Sequence, residues 1–122
     1  MARVDGWMVG VGAARAATGL WFLAAPERPA RAWVGQTDEA STYLTRVVGG
    51  RDFVIGAGLL ASAVTGRSSF PWVLASAGAD LTDALAGAAM LGGTQRRNAI
   101  GFAGGFIVFT AAALGARALR RR

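Results

Sequence analysis

Six ionisable side chains in this 122-residue sequence sit inside otherwise apolar stretches: Arg15, Arg46, Arg51, Asp52, Asp80 and Asp83. Their types allow two kinds of chemistry. Carboxylates held by guanidinium groups can take up, release or relay a proton, or hold a small polar group. The same pairs can also do no more than specify which helix packs on which. Both readings stay open at this point. Asp80 and Asp83 are three residues apart, so on a helix they share a face, and Ser76 and Gly87 extend that polar, small-residue stripe. Arg51 and Asp52 are consecutive and point about 100° apart on a helix, which predicts that each reaches a different neighbour rather than the other. The expected arrangement is a midplane cluster in which Arg15 and Arg51 bracket Asp80 and Asp83, with Asp52 in the binding set. Asp80 and Asp83 are the candidates for any catalytic acid.

Elements long enough to bury such charges must also neutralise them. The six signs cancel. Left facing lipid, at about 2.5 to 3.5 kcal/mol each, they would cost on the order of 15 to 20 kcal/mol. The run 98–116 carries no charge and is long enough to cross a bilayer, given that roughly 20 helical residues cover about 30 Å. Three further stretches have the required length: 7–25, 42–65 and 70–91. Breaks between them are marked by Pro26 and Pro29, by 66–69 with Pro71 just beyond, and by Gly92 and Gly93. The polar segment 27–41 holds Ala30, Trp33 and Val34 and is expected to lie along the headgroups as a short interfacial helix. Trp7, Trp21, Trp33 and Trp72 fall near span ends, a depth that suits an apolar ring with a polar N–H. Asp5 and Arg15 interrupt the order of a secretory signal, so the first stretch is expected to be a helix of the fold. The expected fold is all-α: one domain, 1–122, forming a four-helix transmembrane bundle with an interfacial segment between its first two helices.

Composition points the same way. Hydrophobic residues make up 53% and charged ones 16%, with a mean hydropathy of +0.40. With no cysteine and no histidine, thiolate nucleophiles, disulfides, zinc-thiolate sites and the commonest general base are all excluded, and no metal or cofactor is expected. All 13 basic residues are arginine. Arg117 and Arg120 to Arg122 crowd the end of the last apolar run, and Arg96 and Arg97 are expected in a short loop. This is how arginines flank a membrane span; a nucleic-acid reader spreads them over one face of a polar domain, and no nucleic-acid partner is expected. The slight arginine excess on the side of the termini predicts an inner (plasma) membrane protein with both termini cytoplasmic. Gly6 with Gly10 and Gly101 with Gly105 stand four apart. Together with Gly56, Gly58 and the alanine-rich third span, they offer small-residue faces for helix packing or for a homodimer. No glycine run has the strand before it or the Lys-Ser/Thr after it that a phosphate loop needs.

The run Arg46-Val47-Val48-Gly49-Gly50-Arg51-Asp52-Phe53-Val54-Ile55-Gly56-Ala57-Gly58, followed by Asp80-Leu81-Thr82-Asp83-Ala84 and preceded by a Pro-rich turn, resembles small four-helix bacterial membrane proteins of actinobacterial type and unknown function, distantly similar to DoxX-like proteins. That resemblance implies a four-helix bundle with the Arg-Asp and Asp-x-x-Asp positions as its polar core, and it transfers no reaction. The pair Asp80 and Asp83 does not match CDP-alcohol phosphotransferases, because the arginine and the second aspartate pair of their motif are missing. Small multidrug transporters rely on a membrane glutamate in the first helix, where this chain has only Arg15, and the polar signature of fluoride channels is not recognisable. Three functions remain as expectations. The cluster lines a pocket or pathway for a proton or a small lipophilic ligand, or it only fixes packing in a structural or assembly protein of the lipid bilayer, or Asp80 or Asp83 serves a membrane-embedded isomerase or cyclase.

Overall fold

The computed structural model describes residues 4–119, apart from the side chains of Ala113 and Arg117. Arg3 and Arg120 to Arg122 of the expected basic flank lie outside the described residues. The chain folds into five helices: α1 (Gly6–Ala24), α2 (Glu27–Trp33), α3 (Glu39–Thr65), α4 (Phe70–Met90) and α5 (Gly93–Leu119), with no strand among the described residues.

Local chemistry explains most of the boundaries. Asp5 caps α1 by accepting from the Met8 N–H, and α1 stops just short of Pro26. Asp38 caps α3, accepting from the Ser41 N–H at 2.8 Å and from the Ser41 hydroxyl; these bonds hold its carboxyl below the ordinary range. Gly66 ends α3 in the left-handed conformation, φ 69°, which a glycine adopts without strain. Pro71 sits in the first turn of α4, where its missing N–H costs nothing. Helix α5 begins five residues before the expected span, so Arg96 and Arg97 occupy its first turns and not a loop. No breaker follows Gly93, and Arg96 Nε donates to the Leu91 carbonyl at 2.8 Å, tying the turn down. The polar segment forms α2, bent 104° from α1. Asn98 Nδ2 docks it by donating to the Ala32 carbonyl at 2.7 Å.

The most extensive helix contact is between α1 and α3. It is built on Gly12, Gly19, Gly49 and Gly56. A Cβ on Gly12 would lie 2.6 Å from the Leu60 backbone N, one on Gly49 2.8 Å from the Gly19 carbonyl, and one on Gly19 or Gly56 would overlap the facing backbone. Backbones this close gain dispersion contact that longer side chains would prevent. The expected pairs Gly6/Gly10 and Gly101/Gly105 take no part, since each faces open space within the chain. Gly58 packs elsewhere, under the Trp72 ring, and joins α3 to α4. Aromatic contacts draw α5 over α1: Phe22 stacks on Phe102 at 5.8 Å, and Trp7 meets Phe109 edge-on at 6.5 Å.

Beside an apolar cluster of Met8, Val11, Ile55, Leu59, Ala63 and Val73, the interior holds charge while many large apolar side chains are exposed. Arg15 is the largest fully buried side chain, while Leu20, Leu44, Val54, Leu74, Leu81, Leu85, Met90 and Val108 face outward. Hydroxyls of Thr18, Thr45, Ser62, Thr65 and Thr82 donate back to the carbonyl four residues earlier, leaving few side-chain donors unmet. By length and hydropathy two helices suffice to cross a membrane, α3 and α5, or three if the bent pair α1 and α2 counts as one span. Helix α4 is long enough, but Asp80 and Asp83 lower its hydropathy.

Candidate functional site

Three helices bring the predicted charges together. Arg15 projects from the middle of α1 and is wholly enclosed. Its Nη1 donates to Asp80 Oδ2 at 2.9 Å and to the Ser76 hydroxyl at 2.8 Å, and its Nη2 donates to Asp80 Oδ1 at 2.8 Å and to Asp52 Oδ1 at 3.0 Å. The two-pronged match to Asp80 is the geometry a planar guanidinium favours. Below it, the Phe106 ring of α5 lies 4.9 Å from the guanidinium carbon, within cation–π range.

Arg51 of α3 makes a second fork. Its Nη1 donates to Asp83 Oδ1 at 2.9 Å and its Nη2 to Asp83 Oδ2 at 2.7 Å. Asp52 Oδ1 joins the two forks, accepting from Arg15 Nη2 and from Arg51 Nε and Nη2 at 3.0 to 3.1 Å. This overturns the expectation that Arg51 and Asp52 avoid each other. Their Cα–Cβ bonds do diverge, but the arginine stem is long enough to curl back, and Arg15 holds the Asp52 carboxylate where the curled guanidinium can reach it.

All five expected binding residues, Arg15, Arg51, Asp52, Asp80 and Asp83, therefore form one connected network. Arg46 does not join it: the side chain is exposed and, among the described residues, its Nε donates only to the Leu23 carbonyl, at 3.4 Å. The network thus has three carboxylates to two guanidinium groups, so the balance expected of all six residues does not hold within the cluster.

Its two halves differ in access. The side chains of Arg15, Asp52 and Asp80 are 0, 2 and 4% exposed, whereas Arg51 is 30% and Asp83 16% exposed. The cause lies in the helices. Helix α3 packs closely on α1 but only lightly on α4, and the Arg51–Asp83 bridge joins the lightly packed pair. Two buried polar atoms have no partner among the described residues, Arg15 Nε and Thr110 Oγ1.

One participant carried no signal in the sequence: nothing about Phe106 would set it under an arginine. Ser76 was legible, being one turn before Asp80 on the same face. No group of three or more acidic, cysteine or histidine ligands is placed to hold a metal ion among the described residues. Comparison with family models, with characterised proteins and with solved structures yields no match to this chain.

Proposed function

We propose that this chain is a four-span integral membrane protein in which the two halves of the charged network do different work. The Arg15–Asp80–Asp52 half is a packing clamp, and the Arg51–Asp83 half is the place where a proton or a small polar group is exchanged. The observation that carries this division is the contrast in exposure within a single hydrogen-bonded network. A clamp has to be closed and saturated, as Arg15 is at both Nη atoms; a working pair has to be reachable.

The same pairing supports α4 as a fourth span. A hydropathy sum charges Asp80 and Asp83 as free ions, yet each is matched by an arginine fork, which removes most of the cost of placing them in lipid. In this arrangement α2 lies along the headgroups, and both termini share one face. The open faces at Gly6/Gly10 and Gly101/Gly105 are then available for a second copy.

Asp83→Asn tests the division. In liposomes loaded with a pH-sensitive dye, the wild-type chain should dissipate an imposed proton gradient or, failing that, carry a copurifying small molecule visible by mass spectrometry. Asp83→Asn should abolish that activity while keeping the thermal midpoint of the wild type. Asp80→Asn should lower the yield of folded protein instead. A wild-type chain that neither moves protons nor retains a molecule would leave the network with the packing role alone.

A further inference from the structure

Away from the charged network, a cavity of about 600 Å³ opens where the α3–α4 turn meets the end of α5. Its polar lining is Arg67, Ser68 and Ser69; its apolar lining includes Phe70, Val73 and Leu114. Ser69 precedes the first turn of α4 and is only 3% exposed, yet its hydroxyl neither caps that helix nor hydrogen-bonds to any described residue. Arg67 is likewise without a partner among the described residues. Ser68 reaches the Phe70 N–H at 3.3 Å, a long bond that an incoming acceptor can replace.

A guanidinium, two hydroxyls and the N-terminus of a 21-residue helix therefore converge on one hollow. Each of these groups favours an oxyanion, and their combination suits a tetrahedral phosphate with several acceptor oxygens. The remaining walls are apolar and continue down α4 and α5, so whatever carries the phosphate has a hydrocarbon part. We propose that this cavity binds the phosphodiester of an anionic phospholipid, with the phosphate at Arg67, Ser68 and Ser69 and the proximal acyl chain along Phe70, Val73 and Leu114. The proposal rests on the membrane-spanning reading, because it requires the α3–α4 turn to lie at headgroup depth.

The test uses the full chain extracted in mild detergent, with phosphatidylglycerol, phosphatidylcholine or inorganic phosphate added and retained lipid counted by native mass spectrometry. Wild-type protein should retain phosphatidylglycerol at least fivefold over phosphatidylcholine. Ser69→Ala and Arg67→Gln should each lose that preference, with melting in lipid-free detergent unchanged. Arg31→Gln, at the opposite end of the fold, should keep it. Equal retention by the cavity variants, or equal loss in Arg31→Gln, would overturn the proposal, as would protection by inorganic phosphate equal to that by the lipid. Recovery of the chain in the soluble fraction without detergent would instead overturn the membrane reading on which it rests.

Discussion

At the scale of single residues, the fold depends on a charge that is never left alone. Replacing Arg15 by Met removes a fork that serves Asp80, Asp52 and Ser76 at once; Asp52 keeps Arg51, but Asp80 is stranded in an enclosed site. Breaking a buried pair from one side costs about 3 to 5 kcal/mol. Arg15→Met should accordingly fail to accumulate as folded protein, whereas Arg51→Met, at the partly open pair, should fold with a modestly lowered midpoint, as followed by tryptophan fluorescence during heating. Equal loss in both would mean that the two halves are not distinct. The identities of these residues were readable from the sequence because an ionisable side chain inside an apolar run needs an opposite charge. Which charge meets which was less readable. Asp52 joins both arginines because its carboxylate lies where α1 and α3 nearly touch, and that closeness depends on glycines whose role appears only once the helices are packed.

Among the elements, glycine position decides the packing. Gly6/Gly10, Gly101/Gly105 and Gly56 all suggested small packing faces, but of these only Gly56 joins the α1–α3 contact, with Gly12, Gly19 and Gly49. Seven residues separate Gly12 from Gly19 and Gly49 from Gly56, so two contacts two turns apart fall on the same side of each helix. Composition cannot choose between these sets, because every glycine is equally small, and only the facing helix selects. Gly56→Ala should push α1 from α3 and lower the thermal midpoint sharply. Gly10→Ala, which meets open space, should be neutral or stabilising by up to about 1 kcal/mol through reduced backbone entropy of the unfolded chain. Similar midpoints for the two variants would remove the α1–α3 contact as the organising feature.

For the whole molecule, the distribution of burial connects sequence to setting. Five charged side chains are gathered inside while many large apolar ones face outward, a distribution that suits apolar surroundings. The all-helical class and the breaks after α1, α3 and α4 were legible from proline and glycine; the start of α3 at Glu39, set by the Asp38 cap, was not. The bend of 104° between α1 and α2 and the early start of α5 were not, because they depend on the Asn98 contact with α2 and on the Leu91–Arg96 tie. How many helices cross is where hydropathy and the proposed reading diverge: α4 falls short by hydropathy, and the proposal counts it as a span because its aspartates are paired. The absence of cysteine from the chain allows a direct measurement. Single substitutions Ser68→Cys and Gly92→Cys, at the two ends of α4, can be probed with a membrane-impermeant thiol reagent in sealed, oriented vesicles. The account predicts labelling from opposite sides of the membrane; labelling of both from the same side would contradict it.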